Sequence, residues 1–164
     1  MKNIACKLMI ALFVVVICSH LNISVYAENN DFSLKELKGK TSFNCFIPTD
    51  IPKYWNVELK YPEQVHANMK EIQIHFFNKA GTQLELTVNE KSAANTIVEP
   101  YEHEERVKIK NMNGVFHPIT PTKRIKDVQG GQLIWVQDGT MITLFSLRIS
   151  KQELMKIAQS MQKL

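Results

Sequence analysis

The stretch Leu133-Ile134-Trp135-Val136-Gln137-Asp138-Gly139-Thr140-Met141-Ile142-Thr143-Leu144-Phe145 decides the fold. An Asp-Gly pair between two runs rich in β-branched and aromatic residues marks a two-residue hairpin, because both central positions of such a turn take positive φ angles that bulkier pairs resist. It joins a strand over Leu133–Gln137 to one over Thr140–Ile149. Asn113-Gly114 predicts the same device between Arg106–Met112 and Val115–Ile119, and Ala80-Gly81 between the strands on either side of it. Local hairpins imply a mainly antiparallel sheet, since parallel neighbours need crossovers that this spacing does not supply.

Working outward, the chain keeps a period of two. Val57, Leu59 and Tyr61 alternate with Glu58 and Lys60; Ile72, Ile74 and Phe76 alternate with Gln73 and His75; Leu84, Leu86 and Val88 alternate with Glu85 and Thr87. Each strand therefore presents one apolar face. Pro48 and Pro52 enclose an extended turn, because proline fixes φ and lacks an amide donor. Pro100 beside Glu102-His103-Glu104-Glu105 marks one loop, and Thr120 to Gly131 another. Ser33-Leu34-Lys35-Glu36-Leu37-Lys38 predicts a short amphipathic helix capped by Asp31 or Ser33 and ended by Gly39. Ser150-Lys151-Gln152-Glu153 is a capping box, and Leu154, Ile157, Ala158 and Met161 follow at helical spacing on one apolar face. The predicted fold class is α+β: a mainly antiparallel curved sheet of about seven strands, a short N-terminal helix, and a C-terminal helix packed on the sheet.

Residues 1–27 read as an export signal. Lys2 and Lys7 precede an apolar run over Leu8–Cys18, which is followed by polar Ser19, His20 and Asn22 and then Val25-Tyr26-Ala27 as a small-residue cleavage site. The run is about half the length of a membrane-spanning helix. Residues 28–164 then form a single exported domain, secreted or held at the outer side of the cell membrane. Two alternatives stand beside cleavage after Ala27: acylation at Cys18, which the bulky Ile17 disfavours, and retention of the segment as a weak anchor. Removing the signal leaves 18 basic against 16 acidic residues, a formal charge of +2, which is no nucleic-acid signature. Of three cysteines only Cys45 survives processing, so an internal disulfide framework is excluded and a hydrophobic core must hold the fold. Cys45, between Phe43 and Phe46-Ile47, reads as a small core residue.

Candidate chemistry is sparse. His66, His75, His103 and His117 stand at no spacing that favours zinc, and His103-Glu104-Glu105 lacks the second histidine of a metalloprotease helix. No Gly-x-Ser-x-Gly turn supports a serine nucleophile. The expectation is no catalytic residue, no metal and no cofactor, with the ligand-binding residues left unassigned. Arg106, Lys108 and Lys110 alternate along one strand and Lys123-Arg124-Ile125-Lys126 adds a nearby basic loop; this reads first as a solvated face and second as a weak contact with an anionic membrane surface or wall polymer. Trp135 and Phe145 flank the Asp138-Gly139 turn and read first as core residues, with a groove lining as the second reading.

Several pieces together resemble a known family of unknown function, numbered 4367. They are Phe43 with Ile47-Pro48 and Ile51-Pro52, Val107-Lys108-Ile109 with Asn113-Gly114, Leu133-Ile134-Trp135 with Gly139, Ile149-Ser150, Glu153-Leu154, Lys156-Ile157-Ala158 and Ser160-Met161. The likeness covers most of residues 32 to 162. It implies an extracytoplasmic domain of the kind found in anti-sigma-like and sporulation-associated proteins of bacilli and clostridia, and kinship with lipoprotein-carrier folds, whose curved sheet holds an apolar ligand. The function expected is a non-enzymatic binding or sensor domain whose partner is a small apolar ligand or an envelope protein. The rivals are an envelope hydrolase with an unrecognised site and a sensor coupled to a membrane protein. If Val25-Tyr26-Ala27 is the processing site, the N-terminal residue of the exported protein is Glu28. Intact mass of secreted material checks this, and a mature chain beginning at acylated Cys18 refutes it.

Overall fold

A computed structural model describes residues 33–93, 96, 98–100, 104–123 and 126–164. The expected signal over 1–27, the Asp31 cap, His103, Arg124 and Ile125 lie outside the described residues. Nine strands are defined among them: β1 (Phe46–Ile47), β2 (Asn56–Tyr61), β3 (Glu71–Phe77), β4 (Leu84–Ser92), β5 (Glu105–Ile109), β6 (Met112–Pro118), β7 (Gly131–Gln137), β8 (Thr140–Ser146) and β9 (Gln162–Lys163). One α-helix, α1, runs over Lys151–Ser160. Seven strands form a single sheet in the order β2-β3-β4-β8-β7-β6-β5, antiparallel at every neighbouring pair. Two meanders, β2-β3-β4 and β5-β6-β7-β8, meet along β4 and β8. β1 and β9 form a separate antiparallel pair, Phe46 opposite Lys163 and Ile47 opposite Gln162.

The Asp138-Gly139 hairpin is where the sequence placed it. Gln137 pairs with Thr140, and the two turn residues hold φ angles of +48° and +79°, as a turn with two left-handed positions requires. Ala80-Gly81 also turns the chain, with Gly81 N–H donating to Asn78 O at 2.9 Å. The Asn113-Gly114 turn is corrected. β5 and β6 are joined instead by Lys110-Asn111, Lys110 taking φ +53°, while Asn113 and Gly114 lie inside β6 opposite Lys108 and Val107. Packing explains the shift. Gly114 also faces Trp135 across β7, and a Cβ there would come within 3.0 Å of both the Ile109 side chain and the Ile134 carbonyl and 3.3 Å from Trp135 Cβ. The glycine is needed where the indole is seated, and that need outweighs its local turn preference.

Two further expectations are revised. The N-terminal helix is a single 3-10 turn, Leu34–Leu37, ended by Gly39 at φ +70°. Four residues are too few to repay the nucleation of an α-helix, and the buried Leu37 with the partly buried Leu34 anchors the turn on the core. The strand expected to reach Ile149 stops at Ser146, whose Oγ donates to Glu85 O at 2.6 Å and accepts from the Arg148 and Ile149 amides at 3.0 Å. That hydroxyl turns the chain toward α1.

The helix itself begins as read. Ser150 Oγ accepts from Glu153 N at 3.3 Å, and the Glu153 carboxylate accepts from the Ser150 hydroxyl at 2.8 Å and from Ser150 N at 3.1 Å, two bonds that hold Glu153 below the usual carboxylate range. Leu154, Ile157, Ala158 and Met161 are buried in one cluster with the sheet residues Leu59, Ile74, Val88, Leu133, Trp135 and Leu144. Among the described residues no helix is long and apolar enough to cross a membrane. Ile157, 6% exposed, should cost about 2–5 kcal/mol when replaced by alanine, through lost transfer energy and a residual cavity. Lys156→Ala on the exposed side of the same helix should stay within about 0.5 kcal/mol. Chemical denaturation of both variants measures the difference, and equal midpoints would mean α1 contributes nothing to the core.

Candidate functional site

Register fixes what each face of the sheet carries, because residues directly opposite on antiparallel neighbours point the same way. On the covered face, Leu59, Ile74, Val88, Leu144, Leu133 and Phe116 form one continuous cross-strand row. A second row runs Ile72, Glu90, Ile142, Trp135, Gly114 and Val107. One carboxyl thus sits in an otherwise apolar line. The opposite, open face carries Gln73, Asn89, Thr143, Ile134, Val115 and Arg106 in one row, and Glu58, His75, Thr87, Phe145, Gln132 and His117 in the next.

The open face holds a trough of about 280 Å³ whose lining includes Gln73, Asn89, Thr143, Ile134, Met141 and Gln132, with Glu71 and Lys91 at its rim. Among the described residues, the side chains of Gln73, Asn89 and Thr143 are bonded to no protein group and remain reachable by solvent. Amide and hydroxyl groups both donate and accept, and Ile134 and Met141 beside them supply apolar area. The arrangement suits a small molecule with a hydrogen-bonding edge and an apolar side. A larger cleft of about 430 Å³, lined by Thr41, Ser42, Asn44, Ser92 and Asp138, differs in kind. There Thr41, Ser42 and Asn44 already bond to the carbonyls of Phe43, Met69 and Asp138 at 2.6, 3.1 and 2.9 Å, so these three side chains are engaged in holding the fold together.

The second unusual feature lies on the covered face. Glu90 is 0% exposed, and its two carboxyl oxygens accept from the Phe46 amide at 3.2 and 3.1 Å. Burial pushes its pKa up to about 8, against the smaller opposing effects of the Phe46 amide and the Cys45 thiol. Cys45, 5% exposed, is pushed far up by burial first and by the Glu90 charge second, so it is an inert thiol at neutral pH. That agrees with its reading as a core residue. The carboxyl was not singled out in the sequence, although the alternation of Leu84, Leu86 and Val88 continues to Glu90 on the same face.

The histidines do not converge. His66 is exposed, with Nδ1 3.1 Å from Ala67 O. His75 is half-buried on the open face, edge-on to Phe77 at 5.8 Å; burial holds its pKa down, with Glu58 working the other way. His117 is paired with Glu104 at 3.2 Å. His75 and His117 share one row but lie four strands apart, roughly 19 Å at ordinary strand spacing. Among the described residues no three His, Cys, Asp or Glu side chains are placed to hold a metal ion.

The basic stripe is divided. Arg106 pairs with Glu99 at 2.7 Å and Lys108 Nζ donates to Asn113 Oδ1 at 2.5 Å, both on the open side of edge strand β5. Lys110, expected on the same side, reaches from the turn to Met161 O at 3.0 Å and ties down the end of α1. Trp135 is fully buried, its Nε1 donating to Gln137 Oε1 at 3.2 Å, whereas Phe145 lies part-buried on the open face. Lys123 and Lys126 are exposed.

A raised carboxyl pKa gives stability a definite pH slope. Between the ordinary value of 4.5 and the folded value of about 8, the native state keeps a proton that the unfolded chain has released. The contribution is therefore fully present below about 4.5 and is lost as pH rises through about 8, by up to about 1.4 kcal/mol per unit. Glu90→Gln should remove this slope and be the more stable protein at alkaline pH. Denaturation midpoints of both proteins across that window test it, and parallel profiles would rule it out.

The comparisons agree with the resemblance read from the residues. The model of the family described as Domain of unknown function (DUF4367) matches residues 45–161, from the buried thiol to the end of the helix. No curated protein and no solved structure matches the chain. Since the match spans most of the sequence and all of the seven-stranded sheet, the chain belongs to the DUF4367 domain family.

Proposed function

We propose that this chain is exported as a single domain and acts outside the cytoplasmic membrane as a non-enzymatic binding or sensor domain. Its ligand is taken on the open face of the sheet. The observation that carries the reading is the row Gln73, Asn89 and Thr143, with hydrogen-bonding capacity that the protein leaves unspent, beside the apolar Ile134 and Met141. The kinship with lipoprotein carriers implied by the sequence would put an apolar ligand against the sheet. Here the apolar face is covered by α1 and by the segment from Phe43 to Ile51, so the ligand is assigned to the other side.

A short-chain alkyl glucoside below its micellar concentration is the appropriate probe, since it combines a hydrogen-bonding head with an apolar tail. Saturable methyl shifts are expected at Ile134, Met141 and Thr143 and not at Leu133 or Leu144 on the covered face. Met141→Lys should weaken binding at least about tenfold, roughly 1.4 kcal/mol, while leaving the melting temperature unchanged. Absence of saturable shifts on the open face, or shifts confined to the covered face, would overturn the reading.

A further inference from the structure

Glu90 is held by the least reinforced element of the fold. β4, which carries it, is secured on both sides, by β3 from Glu71 to Phe77 and by β8 from Thr140 to Phe145. β1 is different. It pairs only with β9, over Phe46–Ile47 and Gln162–Lys163, and both residues of β9 are exposed. The Phe46 amide donates into the Glu90 carboxyl, so the strand pair meets the sheet through this side chain as well as through the packing of Cys45 and Phe46. Further ties lie at the ends of the segment: Thr140 Oγ1 donates to Asn44 O at 2.7 Å, Asn44 Nδ2 to Asp138 O at 2.9 Å, Leu164 N to Cys45 O at 3.0 Å, Thr49 Oγ1 to Ser160 O at 2.8 Å, the Thr49 and Asp50 amides to Ser160 Oγ at 3.2 and 3.0 Å, and, just before β9, the Lys110 ammonium to Met161 O at 3.0 Å.

Among the described residues no cation is ion-paired to the carboxyl. From β1 the Cys45 thiol faces it, from β3 and β8 the residues abreast are Ile72 and Ile142, and α1 contributes Leu154, Ile157 and Ala158 to the same core. Lys163 on β9 and Lys91, next along β4, are both exposed, and neither is ion-paired to it. An ionised carboxylate with one amide donor and no counter-charge must recover hydration. Water reaches it at least cost by displacing the two-residue strands rather than by parting β4 from its neighbours.

We propose that Glu90 is a proton-operated latch: protonated, its carboxyl closes β1 and β9 over the apolar face of the sheet, and loss of the proton to solvent releases the strand pair and opens Cys45 to reagents. The opening is local. The seven-stranded sheet stays intact, because β4 keeps its pairing with β3 and β8.

Maleimide labelling of the full chain tests this, read by peptide mass so that Cys45 is separated from Cys6 and Cys18. Each rate is divided by that of the denatured chain at the same pH, which removes the thiol's own titration. From about pH 6 to about pH 9 the normalised Cys45 rate of the wild type should rise at least about tenfold, and that of Glu90→Gln should stay flat. A flat wild-type profile, or an equal rise in both proteins, overturns the latch. If Glu90→Gln does not fold, the carboxyl ¹³C shift of Glu90 in the wild type decides: a midpoint near 8 shared with the labelling profile supports the latch, and a midpoint near 4.5 ends it.

Discussion

Antiparallel pairing between β4 and β8, from Thr87 opposite Phe145 to Ser92 opposite Thr140, is the constraint on which the other arrangements rest. Each meander on either side is a set of local hairpins, and such sets bury little by themselves. The seam makes their cross-strand rows continuous. Through it Val88 meets Leu144 on the covered face and Asn89 meets Thr143 on the open one, so core and trough are two sides of one register. A slip of one residue would turn Asn89 and Thr87 into the core and Val88 toward water, which is why the alternation in β4 specifies the pairing so strongly.

The sheet was legible wherever local chemistry and packing asked for the same thing. Asp138-Gly139 is free to turn because a Cβ on Gly139 meets nothing within 4 Å and no neighbour requires it elsewhere. Asn113-Gly114 carries an equally strong turn signal, yet the indole of Trp135 claims the space beside Gly114 and the turn moves to Lys110-Asn111. Information about Trp135 lies on another strand, beyond any reading of the residues around Gly114. The capping box at Ser150 and Glu153 was legible for the opposite reason, since both partners lie within one turn of helix.

Site residues were less legible. A buried carboxyl announces itself only through its environment, and Glu90 ends a run whose apolar members are two to six residues upstream and whose cover, Cys45 and Phe46, comes from far earlier in the chain. The open face could be inferred as polar from Gln73, Thr87 and Asn89, but which of its groups remain unbonded depends on the pairing order β3-β4-β8-β7, which joins strands distant in sequence. Lys110 shows the same limit: alternation places it with Arg106 and Lys108, while the turn swings it to the end of α1.

The pairing of β1 with β9 also orders events in the life of the chain. Phe46 finds its partner only once Lys163 has been synthesised, so the strand that covers the sheet waits until all seven strands of the sheet have been made. Both meanders can assemble earlier from contacts close in sequence, and contacts that close long loops come late. During that interval the apolar rows through Val88 and Leu144 stand uncovered. Closing this long loop is therefore the step that completes the cover over the apolar rows.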